Sequence, residues 1–220
     1  MKNPIPISLL LPAALEELKK NCSERDGELD EYIDAKIGAF SLEILNQIPT
    51  RFRKYAAEPV PADDLARLKS GDILTILGPV GVGKTALGYR ISYSYLLNLF
   101  AERRLGKQKT DFMMTTGEEF IFEMRRSYGL DRAEETRKNY RRRSLLFFDD
   151  LFSTMITDST HEEILHLINY RSAWLAPMII TTNKSLNELK EIDARIPSRL
   201  KGGHVVYLDG QDKRLKPPQG

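Results

Sequence analysis

The sequence predicts an α/β fold, a parallel sheet with helices on both faces, and three observations carry that expectation. From Pro61 onward, short apolar runs alternate with longer segments of helical spacing. The runs are almost continuously apolar rather than alternating, the pattern of strands buried on both faces. A glycine-rich stretch joins the first run to the first long helical segment.

Residues 1–58 read as a small helical N-terminal region with a linker, and residues 59–220 as the core domain. In the first region Leu15, Leu18, Leu29, Tyr32, Ile33, Ile37, Phe40 and Ile44 recur at helical spacing. Residues 16–34 carry eight acidic and three basic side chains, a local balance that suits a protein partner. The apolar run from Pro4 to Leu15 is read as an amphipathic packing segment. Only Lys2 precedes it, and Glu16-Glu17 follow without the small-residue site of a secretory leader.

In the core domain, Ile73–Leu77, Asp111–Thr115, Leu145–Phe148, Met178–Thr182 and Val205–Leu208 read as strands. Lys84–Arg104, Glu118–Tyr128, Glu134–Arg143 and His161–Trp174 read as helices, the first with Leu87, Ile91, Tyr95 and Leu99 along one face. Tyr89, Tyr93, Tyr95 and Trp174 are assigned to packing. Composition sets outer limits. The 220 residues are 41% apolar and carry 33 Lys+Arg against 31 Asp+Glu, so the chain as a whole is neither polybasic nor polyacidic. A single cysteine, Cys22, excludes an internal disulfide framework and a cysteine-built zinc module, and fits a cytoplasmic protein. No run reaches the roughly 20 apolar residues of a membrane span.

The sharpest motif is Gly78-Pro79-Val80-Gly81-Val82-Gly83-Lys84-Thr85, which fits G-x-x-x-x-G-K-[ST] between a strand and a helix. Its glycines let successive N–H groups turn inward as a nest for phosphate oxygens. Lys84 is expected to reach the β/γ-phosphates and Thr85 to bind Mg²⁺. The apolar strand Leu145–Phe148 ends in Asp149-Asp150. Asp149 is the expected metal-side carboxylate, and Asp150 the group that orients or deprotonates the attacking water. Asn183, closing Met178–Thr182, could position that water. Asn183-Lys184-Ser185-Leu186 starts like the guanine-reading N-K-x-D motif, but Leu186 has no carboxylate, so ATP is the expected nucleotide.

With these residues in hand, the chain resembles an AAA+ P-loop ATPase of the DnaC/IstB-like group, the bacterial helicase loaders and transposition helper ATPases. The resemblance runs from about Ile48 to Arg214. It takes in Ile48–Arg53, Gly78–Thr85, Leu145–Leu151, Ile168–Arg171, Ile179–Asn183 and Arg195–Leu200. It implies that Asn183 is the sensor-1 residue, Arg199 the arginine finger offered to a neighbouring subunit, and Arg214 a sensor-2-like arginine at the nucleotide. It further implies a core without a C-terminal lid and a homo-oligomer formed on ATP or DNA. Two features depart from the group: Phe152 stands where members often have glycine after Asp-Asp-Leu, and the N-terminal zinc module of many loaders is absent.

Residues 101–143 carry twelve basic and eight acidic side chains. By the same resemblance, Arg125, Arg126, Arg137, Lys138, Arg141, Arg142 and Arg143 would track the phosphates of single-stranded DNA. The function so implied is an ATP-hydrolysing loader of a replicative DNA helicase, with residues 1–58 gripping the helicase and no membrane involved. The alternatives are a transposition helper ATPase that binds duplex DNA and recruits a transposase, and a protein that uses ATP only as a structural switch.

Overall fold

The structure is a computed structural model that describes residues 27–102, 111–152 and 158–212. Its residues fall into two compact units. Among the described residues, one comprises 27–60 and 89–102, and the other 61–88, 111–152 and 158–212.

In the first unit, helix α1 (Gly27–Gln47) and helix α2 (Thr50–Ala56) precede a proline-rich connection. Pro49 and Pro61, at extended backbone angles, each set the start of a helix where a missing N–H costs nothing. The same unit holds most of a long helix described below as α4. Its interior is aromatic. Phe40 stacks on Phe100 with ring centroids 4.2 Å apart, and Phe52 lies 5.3 Å from Tyr89. The Ser41 and Tyr93 hydroxyls share a hydrogen bond of 2.6 Å, so the phenol is not left unpaired in the core.

The second unit opens with helix α3 (Ala62–Lys69), which leads into strand β1 (Ile73–Leu77) and helix α4 (Lys84–Glu102). Strand β2 (Phe112–Thr116), helix α5 (Gly117–Gly129), helix α6 (Ala133–Arg141) and strand β3 (Leu145–Asp149) follow. Helix α7 (Asp158–Ala173), strand β4 (Met178–Thr182), helices α8 (Leu186–Ile192) and α9 (Arg195–Lys201), and strand β5 (His204–Tyr207) complete it. Local chemistry explains several starts. Thr116 with Glu119, and Ser185 with Glu188, form capping boxes at the heads of α5 and α8.

The five strands form one sheet in the order β2-β3-β4-β1-β5, and every pairing is parallel. All five residues of β1 and of β4 are buried, as near-continuous apolar strands require. The chain leaves β1 toward β2 in one direction and steps back through β3, β4 and β5 in the other. Right-handed crossovers then place the connecting helices on opposite faces. Reversal of direction between the neighbours β1 and β4 opens a crevice at their C-terminal ends, the usual ligand position in such sheets.

The strands lie within one residue of their sequence positions. Two sequence readings change. The face expected along α4 is replaced by burial nearly all round, since Ile91, Ser92, Tyr93, Tyr95, Leu96 and Leu97 are all buried. Trp174 is not core: it is 71% exposed, beside Tyr170, with Leu175 after it also exposed. The run from Pro4 to Leu15 and Cys22 lie outside the described residues.

Candidate nucleotide site

The site is built at the C-terminal ends of β1, β3 and β4. From β1 comes the glycine-rich loop. Gly78, Gly81 and Gly83 have φ of 154°, 77° and 109°, angles that side-chain-bearing residues rarely adopt. Close approach adds a second reason for glycine. A Cβ on Gly78 would stand 2.2 Å from the Leu208 carbonyl oxygen, and one on Gly81 1.8 Å from the Asp212 carboxylate. The segment after β5 is thus held against the loop, starting with the Leu208 N–H donated to the Leu77 carbonyl at 2.8 Å.

Lys84 is buried at the head of α4. Its ammonium donates to the Gly78 carbonyl (2.8 Å), the Pro79 carbonyl (2.7 Å) and Asn183 Oδ1 (2.6 Å). Asn183 in turn donates through Nδ2 to Asp150 Oδ1 at 2.9 Å. Each face of the amide meets the partner that its chemistry demands, so one side chain links the loop lysine to the second aspartate.

Asp149 is the first aspartate, at the end of β3. Its Oδ1 accepts from Thr85 Oγ1 at 2.9 Å and from Thr181 Oγ1 at 2.6 Å. Burial pushes its carboxyl above the ordinary carboxylate range. The two threonine hydrogen bonds oppose that rise, Asp150 adds to it and Lys84 opposes it. A carboxylate held this way gains from a nearby cation. Among the described residues no group of three or more His, Cys, Asp or Glu could hold a metal ion alone. Thr85 and Asp149 therefore offer two oxygen ligands, with phosphate oxygens and water left to complete a magnesium shell. The inward loop, the lysine and this pair fit a nucleoside triphosphate with its cation.

The strand ends thus bring together Gly78–Thr85, Asp149, Asp150 and Asn183. Arg199 lies on α9, exposed, with no hydrogen-bond or ion-pair partner for its side chain among the described residues. Arg195 on the same helix is occupied, binding Asp193 through Nε and Nη2 and Glu162 at 2.9 Å. Arg214 lies outside the described residues.

The basic segment divides. Arg125, Arg126, Lys138 and Arg142 are exposed, and their side chains have no such partner among the described residues. Lys138 and Arg142 line an open groove of about 580 Å³ together with Arg132 and the carboxylates Asp111 and Glu135. Arg137, by contrast, is fixed to Glu163, with Nη2 at 2.6 Å and Nε at 3.0 Å from its carboxylate oxygens, and to the Tyr128 hydroxyl. Arg143 is held by Asp111 and Asn139. Arg141 lies 3.8 Å from Glu134 and over the Tyr170 ring. The guanidinium groups of Arg137 and Arg143 thus already have carboxylate or amide partners within the chain. Tyr140 is core, 1% exposed and edge-on to Phe120.

Sequence reading missed Thr181. Its signal was a pair of threonines, Thr181 and Thr182, closing a buried apolar strand just before Asn183.

Comparison with known proteins adds the family. The profile of the bacterial DnaA ATPase domain matches residues 56–207. The chromosomal replication initiator protein DnaA of Ruegeria pomeroyi is 27% identical over 143 residues, 65% of this chain and 29% of that protein. DnaA of Thermoanaerobacter pseudethanolicus is 28% identical over 147 residues, 67% of this chain and 31% of its own length. The chain thus spans about a third of the length of these curated relatives. Among solved structures, AMPPCP-bound DnaA from Aquifex aeolicus superposes with a TM-score of 0.56 at 23% identity, covering 69% of this chain and 45% of that one. The DnaC helicase loader gives 0.52 at 18% identity, with 73% and 100% covered. DnaI gives 0.51 at 19% identity, with 96% and 94% covered. The loaders therefore share the AAA+ fold, while the sequence relatives named above are initiators, not the DnaC/IstB-like group that the motifs resemble. Among the described residues no helix is long and apolar enough to cross a membrane. By the match over most of its length, the chain belongs to the family of the bacterial DnaA ATPase domain, within the AAA+ P-loop ATPases.

Proposed function

We propose that this protein is an ATP-hydrolysing DNA-replication ATPase that loads a replicative helicase onto single-stranded DNA and completes its active site by self-assembly. The observation that carries the ATPase reading is the line from Lys84 through Asn183 to Asp150, beside the Thr85–Asp149 pair.

Lys84 exchanges the loop carbonyls for β/γ-phosphate oxygens, and Asn183 reports that exchange to Asp150. Thr85 and Asp149 hold Mg²⁺, which supplies positive charge against the phosphates. Asp150 orients the attacking water and accepts its proton. Arg199, exposed and unengaged where Arg195 is tied down, is the finger for a neighbour's nucleotide. Leu186, at the head of α8, carries no carboxylate for guanine, which favours ATP. Arg125, Arg126, Lys138 and Arg142 give a salt-sensitive phosphate track. Residues 1–58 are proposed to grip the helicase.

The similarity to DnaA favours a second reading, an initiator-type ATPase that assembles on DNA without a helicase bound to it. Both readings need the same site. Lys84→Ala should abolish ATP binding and lower turnover by about 100-fold or more, as measured by nucleotide titration and phosphate release with and without single-stranded DNA. Unchanged turnover would sink the mechanism. Copurification of the full chain with replicative helicase in ATP separates the readings, and its absence alongside ATP-driven filaments on DNA favours the initiator type.

A further inference from the structure

Thr181 makes three hydrogen bonds to one turn. Its hydroxyl donates to Asp149 Oδ1 at 2.6 Å and accepts the Asp150 N–H at 2.8 Å. Its carbonyl accepts the Leu151 N–H at 2.8 Å. The directions are forced, because an amide can only donate and the hydroxyl has one proton to give to the carboxylate. One buried oxygen therefore connects the side chain of the first aspartate to the backbone of the second.

That backbone needs a restraint. Asp150 has φ of 53°, in the left-handed region, which costs a residue with a Cβ roughly 1–2 kcal/mol. In this conformation its carboxylate meets Asn183 Nδ2. On the other side, Thr85 and Thr181 both donate to the same Asp149 oxygen. Thr85 is also a candidate cation ligand, and its hydroxyl is lost to Asp149 when it turns to a cation. Thr181 is 1% exposed on a central strand, with its hydroxyl and its carbonyl both engaged by this turn.

We infer that Thr181 is a positioning residue for the acidic pair, its hydroxyl setting the Asp149 carboxylate and the Asp150 backbone as one unit. The inference rests on the ATPase reading above for its consequence in turnover, but its structural part can be read without nucleotide. Valine has the shape of threonine and neither polar function, while serine keeps both.

The test uses the full chain as wild type, Thr181→Val and Thr181→Ser. Amide hydrogen exchange is followed by NMR at Asp150 and Leu151 without nucleotide, and kcat and KM for MgATP are measured in parallel. Thr181→Val should speed exchange at Asp150 by about tenfold or more, while Leu151, bonded to the retained carbonyl, stays near wild type. It should lower kcat by about 10- to 100-fold with KM within about threefold, and Thr181→Ser should restore both. Equal acceleration at Asp150 and Leu151 would overturn the inference, because the threonine would then be merely structural. Unchanged exchange at Asp150, or failure of serine to rescue, would overturn it as well. If wild type shows no turnover at all, the ATPase reading fails, and the two amides still decide the positioning of Asp150.

Discussion

The two ends of the parallel sheet treat buried charge in opposite ways. Where the strands begin, Arg171 is wholly buried and its guanidinium donates to the main-chain carbonyls of Tyr140, Arg141, Arg143 and Pro177. Two of these close the last turn of α6, where the helix dipole favours a cation. Where the strands end, Lys84 is also buried and Asp149 half-buried, but their partners include the solvent-accessible side chains of Asn183 and Thr85. Arg171 has no route to a ligand, whereas Thr85 and Asn183 reach solvent and can turn to one. The comparison teaches that burial of a charge does not mark a functional site; exchangeable partners do.

The largest effect should come from the fixed end. Arg171→Met keeps much of the volume and strands the Tyr140, Arg141 and Arg143 carbonyls, each costing about 1–3 kcal/mol when left unsatisfied, while the Pro177 carbonyl keeps the Leu146 N–H. Stability should fall by at least about 3 kcal/mol in a urea titration, while the folded fraction binds ATP as wild type does. A variant as stable as wild type would break the contrast, showing that this end is as adaptable as the other.

The contrast also shows what the amino-acid order reveals. The phosphate loop is legible because its chemistry is local: eight consecutive residues carry the turn, the nest and the lysine. Asp149 and Asp150 are legible because an apolar strand ends in them. Arg171 and Thr181 are not legible as what they are. Arg171 draws its four acceptors from residues 140–143 and 177, and Thr181 reaches a turn some thirty residues away. Only the sheet order brings those segments together, and periodicity does not encode it. Trp174 misled for a related reason, since an aromatic after an apolar helix face looks buried until the helix end is placed at the rim. The basic segment shows the same limit. Counting charges finds Arg137 but not Glu163, 26 residues later, that neutralises it.

Phe152 gives the next effect in size and lies on the exchangeable side. It occupies the place where the loaders often have glycine, and its φ of 68° is one that glycine adopts freely. The ring is nonetheless 2% exposed, within the core beneath the acidic turn. Removing a buried phenylalanine costs about 3–5 kcal/mol, and relief of the left-handed strain returns about 1–2 kcal/mol. Phe152→Gly should therefore lose about 2 kcal/mol of stability by thermal or urea unfolding. A gain would mean that strain in this turn outweighs its packing.

Asp149→Asn should move stability the other way. The asparagine Oδ1 can still accept from Thr85 and Thr181, so the neutral variant keeps the hydrogen bonds and drops the charge. Burial, followed by the charge on Asp150, raises the folded-state pKa of Asp149 above its ordinary 3.8. A group raised on folding contributes its stability below the unfolded value and loses it as pH rises through the folded one. In magnesium-free buffer the two proteins should thus be equally stable below about pH 4. The asparagine variant should then draw ahead as pH rises, by on the order of 1 kcal/mol at neutral pH, the scale on which relieving functional strain stabilises a fold. Magnesium-dependent nucleotide binding should fall in the same variant. A loss of stability at neutral pH would place Asp149 with Arg171, as a charge that holds the sheet together. A gain paired with lost binding means that the strand ends carry an electrostatic cost which only the ligand removes.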